Sequence, residues 1–405
     1  MAATRREFLQ LAGSAWVALG AAPVPLFAQA AAAAYAAATS DKILVVVELS
    51  GGNDGLNTLV PRDNDLYHKH RPTLALPAES LHKVNDQLGL HPALEFLADE
   101  YQEGRLAIVQ GVGYPEPDRS HFRSMEIWHS ASLKPTPPAT GWIGRSIDEL
   151  THPAVSDRLP ALALTGSLPQ ACQAERTMIP VVGELLSFAA AEQTNPPGIA
   201  LRRKLASGDT GSSPALRILR GQAESLYRTV DKLQGAADKY QSTVEYPATE
   251  LGGHLKRAAQ MLAGDLGVRV VYVTQGSYDT HSGQLATHAG LLGDLSLALA
   301  AFNHDLKSLG LSERVAICLF SEFGRRVEEN ASGGTDHGAA SCLFVQGAGI
   351  RGGLYGTYPR LDQLGEGDLI FNTDFRSVYA TLLERWLGCS AQKVLGEEFP
   401  LLKFV

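Results

Sequence analysis

Five apolar runs of strand length constrain this chain more than any other feature. They are "ILVVVEL" (43–49), "LAIVQGVG" (106–113), "VRVVYVTQG" (268–276), "VAICLF" (315–320) and "SCLFVQG" (341–347). None alternates polar with apolar residues, so each strand must be buried on both faces. That requires an α/β fold whose central sheet is mostly parallel or mixed and covered by helices on both sides. The segments between the runs supply those helices. Leu285, Leu292, Leu295, Leu299, Phe302 and Leu306 recur at three- and four-residue steps, which predicts an amphipathic helix. "TDFRSVYATLLERWLG" reads as another, with Thr373 or Asp374 as cap and Gly388 as terminator. From about 195 to 265 the chain is helical in pattern without a clear strand, an expected insertion in one domain spanning 41–405. With 405 residues and 45% hydrophobic content, the chain can fill a large core.

The N-terminus reads as an export address. "TRREFLQ" (Thr4 to Gln10) precedes an apolar stretch, and "AQA" at Ala28 to Ala30 offers small residues for a signal peptidase. Paired arginines followed by Phe-Leu resemble the twin-arginine signal, so residues 1–30 are expected to engage the twin-arginine export machinery. Residues 31–40 form a low-complexity linker, and the mature protein is expected in the periplasm or secreted. No later apolar run is long enough to suggest a membrane span, so no integral membrane protein is expected after processing. The net charge of -8, without a Lys/Arg run, argues against nucleic acid as partner. Cys172, Cys318, Cys342 and Cys389 lack CxxC spacing and read as buried thiols.

Polar groups gather at the strand ends. The first strand runs into Asn53-Asp54, the second into Arg119-Ser120-His121, the third into Asp279 and His281, and the fourth into Glu322. The fifth is preceded by Asp336-His337. Ligands of open α/β sheets bind at the carboxyl ends of the strands, so a parallel arrangement brings these groups to one rim. Carboxylates and imidazoles together suit a divalent metal, namely zinc, manganese or calcium. Ser120 at a helix N-terminus suits a hydroxyl nucleophile with His121 beside it, and Arg119 or Arg325 could fork onto the oxygens of a phosphate or sulfate ester. Taken singly, Ser120 also reads as a helix cap, Asp54 as a turn residue and Glu322 as a partner of Arg325 or Arg326.

The ordered set "LSGGNDGLN", "SHF", "DTH", "SEFGRR", "GTDHG" and "TDFRSVYATLLERWLG" resembles the exported bacterial family catalogued as domain of unknown function 1501, over about residues 42 to 390. That family is grouped with the alkaline phosphatase and sulfatase superfamily. The resemblance implies an alkaline-phosphatase-like sheet with a metal site at its strand ends. It matches Asp54, Asp279, His281 and His337 to the superfamily's metal ligands, Glu322 to a ligand aspartate, and Ser120 to the nucleophile. Two positions depart from the pattern. Phe323 stands where a histidine usually follows the acid, and only Thr280 separates Asp279 from His281. The resemblance therefore implies a site short of one imidazole.

Two functions follow as expectations. One is an exported metal-dependent hydrolase acting on a small-molecule or glycan ester of phosphate or sulfate. The other is a non-catalytic periplasmic binding or assembly protein on a degenerate scaffold. No G-x-S-x-G occurs, which disfavours a serine hydrolase of the nucleophile-elbow type.

Overall fold

A computed structural model describes residues 42–151, 158–183, 185–187, 214–240 and 242–405, with single positions 198, 200, 203 and 204. The signal and linker readings, and much of the expected insertion before residue 214, lie outside the described residues. Lys42–Val405 forms one compact unit.

Its centre is an eight-stranded sheet: β1 (Ile43–Leu49), β2 (Leu106–Gly113), β3 (Ala161–Leu164), β4 (Val270–Gln275), β5 (Val315–Phe320), β6 (Ser341–Gln346), β7 (Gly353–Tyr355) and β8 (Thr373–Asp374). The order is β7-β2-β6-β5-β1-β4-β3, with β8 also paired to β2. Every pairing is parallel except those of β6, which runs against both β5 and β2. The expectation of a mostly parallel sheet holds. The reversed strand also explains why Asp336-His337 precede their strand: the start of β6 lies at the rim where its neighbours end.

β1 shows why the apolar runs do not alternate. Ile43, Val45, Val47 and Leu49 enter the core on one face, and Leu44 and Val46 enter the core on the other. The helices include α1 (Gly55–Thr58), α2 (His121–Ser130), α3 (Trp142–Leu150), α4 (Pro214–Lys239), α5 (Glu250–Ala263), α6 (Gln284–Ser308) and α7 (Phe375–Thr381), and a short one over Asp65–His70. Residues of α4, α5 and α6 share the first core, and residues of α2, α3 and α7 the second. Within the 195–265 stretch, Leu251, Leu255, Ala258 and Ala259 of α5 are buried there, so α5 belongs to the sheet's cover.

The stripe on α6 is buried at Leu292, Leu295, Leu299, Phe302 and Leu306, whereas Leu285 lies exposed in the first turn. By length and composition α6 could cross a membrane, which corrects the expectation that no run beyond residue 30 is long enough. Here its apolar stripe packs on the sheet. Asp374 caps α7 by accepting the Arg376 N–H, and Gly388 closes the following turn at φ 75°. The four cysteines are buried and unpaired.

Candidate metal centre

The loops after β1 and β4 and the loop before β6 meet at this rim. Gly51, at φ +115°, packs so closely on the β4 loop that a Cβ would lie 2.6 Å from the Asp279 amide nitrogen. A Cβ on Gly334 would lie 2.2 Å from the His281 carbonyl carbon, so glycine lets the last loop reach back to the β4 loop. Between Asp279 and His281 the backbone is irregular. The Thr280 and His281 N–H groups each donate to a carbonyl two residues back, at 2.8 and 3.2 Å. These tight turns bring both side chains to one point despite their spacing. On the β2 side, Asp118 Oδ1 accepts the Ser120 N–H at 2.8 Å, and α2 starts at His121.

Three imidazoles are fixed from behind through Nδ1. His121 Nδ1 lies 2.9 Å from Glu322 Oε1, His281 Nδ1 lies 3.0 Å from Asp336 Oδ1, and His337 Nδ1 lies 2.8 Å from the Arg119 carbonyl. Each partner is an acceptor, which assigns the proton of every neutral ring to Nδ1 and leaves Nε2 as a lone pair. The Nε2 atoms converge on Asp279 Oδ1, at 3.5 Å for His121, 3.0 Å for His281 and 3.1 Å for His337. His281 and His337 Nε2 are 3.0 Å apart. His121 Nε2 is buried and has no hydrogen-bond partner. Arg325 Nη2 meets Asp279 Oδ1 at 2.6 Å, but the facing Nε2 lone pairs still repel unless a cation or proton lies among them. Ligand atoms around a tetrahedral zinc stand about 3.3 Å apart, and imidazoles anchored by carboxylates or carbonyls are the usual outer support of such sites. The ligand atoms of His121, Asp279 and His337 all lie within 4.8 Å of one another, and His281 Nε2 adjoins those of Asp279 and His337, so these donors can gather on a divalent metal.

The surrounding charges shift the titration of these groups. The hydrogen bond to Glu322 raises the His121 pKa above the ordinary imidazole value. Burial would raise Asp279, but the Arg325 hydrogen bond and charge overcome it and hold the carboxyl at about 2. Glu322 and Asp336 are both lowered. Burial opposes the shift in Glu322 and the His121 bond outweighs it, whereas the His281 bond leads in Asp336.

The expected ligands thus divide. Asp279, His281 and His337 meet directly. Glu322 and Asp336 stand behind imidazoles, because Glu322 Oε1 also accepts the Gly51 N–H at 2.9 Å and Asp336 Oδ1 faces a ring nitrogen. Asp54 is not in the group. It is fully buried, its Oδ2 lies 2.5 Å from Arg71, and its Oδ1 accepts the N–H groups of Leu56 and Asn57 to cap α1. His121, expected beside a nucleophile, instead brings the third imidazole. Phe323 sits 4.9 Å from both the His121 and His337 rings, as packing behind them.

The expected anion clamps are spent. Arg119 pairs with Asp368 at 2.6 Å and Glu366 at 3.2 Å. Arg325 is buried and donates to carbonyls of Gly51, Gly52, Tyr278 and Thr335 and to Asp279 Oδ1. Ser120 is exposed at the N-cap of α2 and makes no side-chain capping bond. A cleft of about 510 Å³ opens beside His121, Asp279 and Glu322 and runs along α2 past Met125 to His129.

A family described as "Protein of unknown function (DUF1501)" matches residues 41–395. Among solved structures, the lipoteichoic acid synthase LtaP from Listeria monocytogenes aligns at 9% identity over 89% of this chain and 77% of that one, TM-score 0.39. The PsFucS1 sulfatase from Pseudoalteromonas sp. aligns at 11% identity over 88% and 72%, TM-score 0.38. The phosphonate monoester hydrolase of Agrobacterium radiobacter aligns at 9% identity over 88% and 78%, TM-score 0.40. No curated protein matches the chain.

Proposed function

The chain belongs to the DUF1501 family of proteins of unknown function, and from that premise and the imidazole cluster we propose that it is an exported, metal-dependent hydrolase of phosphate or sulfate esters. The observation that carries the reading is the convergence of three Nδ1-anchored imidazoles on Asp279 Oδ1. His121, His281, His337 and Asp279 would hold the ion. A divalent cation in that position supplies a Lewis acid that polarises an ester oxygen and favours ionisation of a nearby hydroxyl.

The chain's own groups do the rest. Glu322, Asp336 and the Arg119 carbonyl accept the Nδ1 proton of each ring and aim Nε2 inward. Ser120 Oγ, not used in capping α2, is the proposed nucleophile that displaces the alcohol before water releases the acid. The first N–H groups of α2 favour the anionic end of the ester. The alternative of a degenerate binding scaffold rested on a lost imidazole at Phe323, and His121 contributes one from α2 in its place.

The test is metal analysis of the purified chain with assays on 4-nitrophenyl phosphate and 4-nitrophenyl sulfate. Ser120→Ala should abolish turnover and keep the metal, while His337→Ala should lose both. Hydrolysis surviving in both variants refutes the proposal. Export is tested separately, by following the chain's location after Arg5→Lys with Arg6→Lys.

A further inference from the structure

The far end of the cleft holds a second ordered imidazole. His129 lines it with 8% of its surface exposed. Its Nε2 lies 3.0 Å from Glu48 Oε2 and 2.9 Å from the Tyr272 hydroxyl. That hydroxyl itself donates to Glu48 Oε2. With its proton committed there, the Tyr272 oxygen can only accept from the ring. Nε2 therefore carries the ring proton. Nδ1 is left as a bare acceptor with no partner among the described residues.

His129 stands eight residues after His121 on the same helix, about 12 Å along its axis. Met125 and the 91%-exposed Phe122 line the cleft along that helix. Among the described residues no Lys or Arg lines it, and Glu126 on the same wall is paired with Arg123 at 2.5 Å. An anion reaching beyond the ion cluster would find no cation there. An uncharged hydroxyl would find an oriented acceptor, with apolar side chains along the way.

We propose that His129 is a second recognition group, whose Nδ1 accepts a hydrogen bond from an uncharged hydroxyl on the alcohol part of the ester. The substrate is then an ester of a sugar or polyol long enough to reach from the ion cluster to His129, and Glu48 is a positioning residue for the ring. For the ester end, this inference rests on the function proposed above.

The experiment is calorimetric titration of the metal-loaded full chain in a Ser120→Ala background, which prevents turnover. The probes are inorganic sulfate, galactose 6-sulfate and methyl galactoside. One hydrogen bond to an ordered acceptor predicts galactose 6-sulfate about tenfold tighter than sulfate. His129→Phe should erase that increment. His129→Asn, which returns an oxygen acceptor near Nδ1, should restore part of it, as a merely structural role would not. Glu48→Gln should weaken the increment without changing sulfate affinity.

Equal affinities for sulfate and galactose 6-sulfate overturn the inference, as does an increment that survives His129→Phe. If the Phe variant does not fold, the Asn variant decides, because it must lie between wild type and sulfate alone. Loss of all sulfate binding, with methyl galactoside still bound through His129, would instead refute the ester-site reading and leave this inference standing. If neither probe binds, both fail.

Discussion

Replacing Asp54 by Asn separates two roles that the sequence left open. Asp54 and Arg71 are both fully buried and meet at 2.5 Å. Burial alone would raise the Asp54 pKa, yet the Arg71 charge and hydrogen bond outweigh it and the carboxyl is held below its ordinary value. Asparagine keeps an oxygen to cap α1 but strands the guanidinium. Arg71 would retain Asn57 Oδ1 at 2.6 Å and the Val327 and Arg326 carbonyls at 3.0 and 2.8 Å, without a counter-charge. Breaking a buried pair on one side costs about 3–5 kcal/mol. Unfolding entropy near 2.1 cal/mol/K per residue, over roughly 360 residues, gives about 0.76 kcal/mol/K and a fall in Tm of about 4–7 °C. Calorimetry with and without added zinc or manganese, together with metal analysis, measures both consequences. The structure requires a lower Tm and unchanged metal content. Lost metal at an unchanged Tm would refute this reasoning and return Asp54 to the ligand set.

Three further outcomes follow from the same geometry. Glu322→Gln keeps the shape behind His121 but removes the charge, and losing such a support should weaken metal binding 10–100-fold, read by competition with a chelator. Because Glu322 raises the His121 pKa, the ion-free ring holds its second proton above the ordinary value near 6.5, and that proton competes with the ion. Metal affinity should therefore climb with pH up to that raised pKa and then level off, and Glu322→Gln should move the break downward; a break that stays put contradicts the assignment. Asp54 and Glu322 both have folded pKa values below their unfolded ones. Their stabilisation is present above the unfolded carboxylate range near pH 4 and is lost as pH falls through the depressed values, so acid unfolding should be confined to below about pH 4.

Much of the fold was legible because both-face burial leaves a plain mark: a strand such as Val315–Phe320 has no polar residue to alternate with. β3, β7 and β8 were missed. "ALAL" is four residues of weak strand preference, and the pairing of β7 and β8 with β2 depends on residues more than 200 positions away. That Asp279, His281 and His337 come together was readable from their place at the rim. His121 was read as a neighbour of the nucleophile because its ring direction is set by Glu322, 201 residues later. Glu322 and Asp336 were the right residue types in the right loops. Only geometry shows that their oxygens face ring nitrogens. Asp54 had a sequence clue in "GGNDG", a turn and cap signal, but its partner Arg71 lies after another short helix and gives no spacing to read.

The central claim is that three imidazoles and Asp279 bind one divalent ion. X-ray absorption on the chain loaded with zinc or cobalt counts the ligands directly. One ion per chain is expected, with three imidazole nitrogens and a carboxylate oxygen, and loss of one nitrogen in His121→Phe. An all-oxygen shell, or no bound ion at neutral pH, would contradict it.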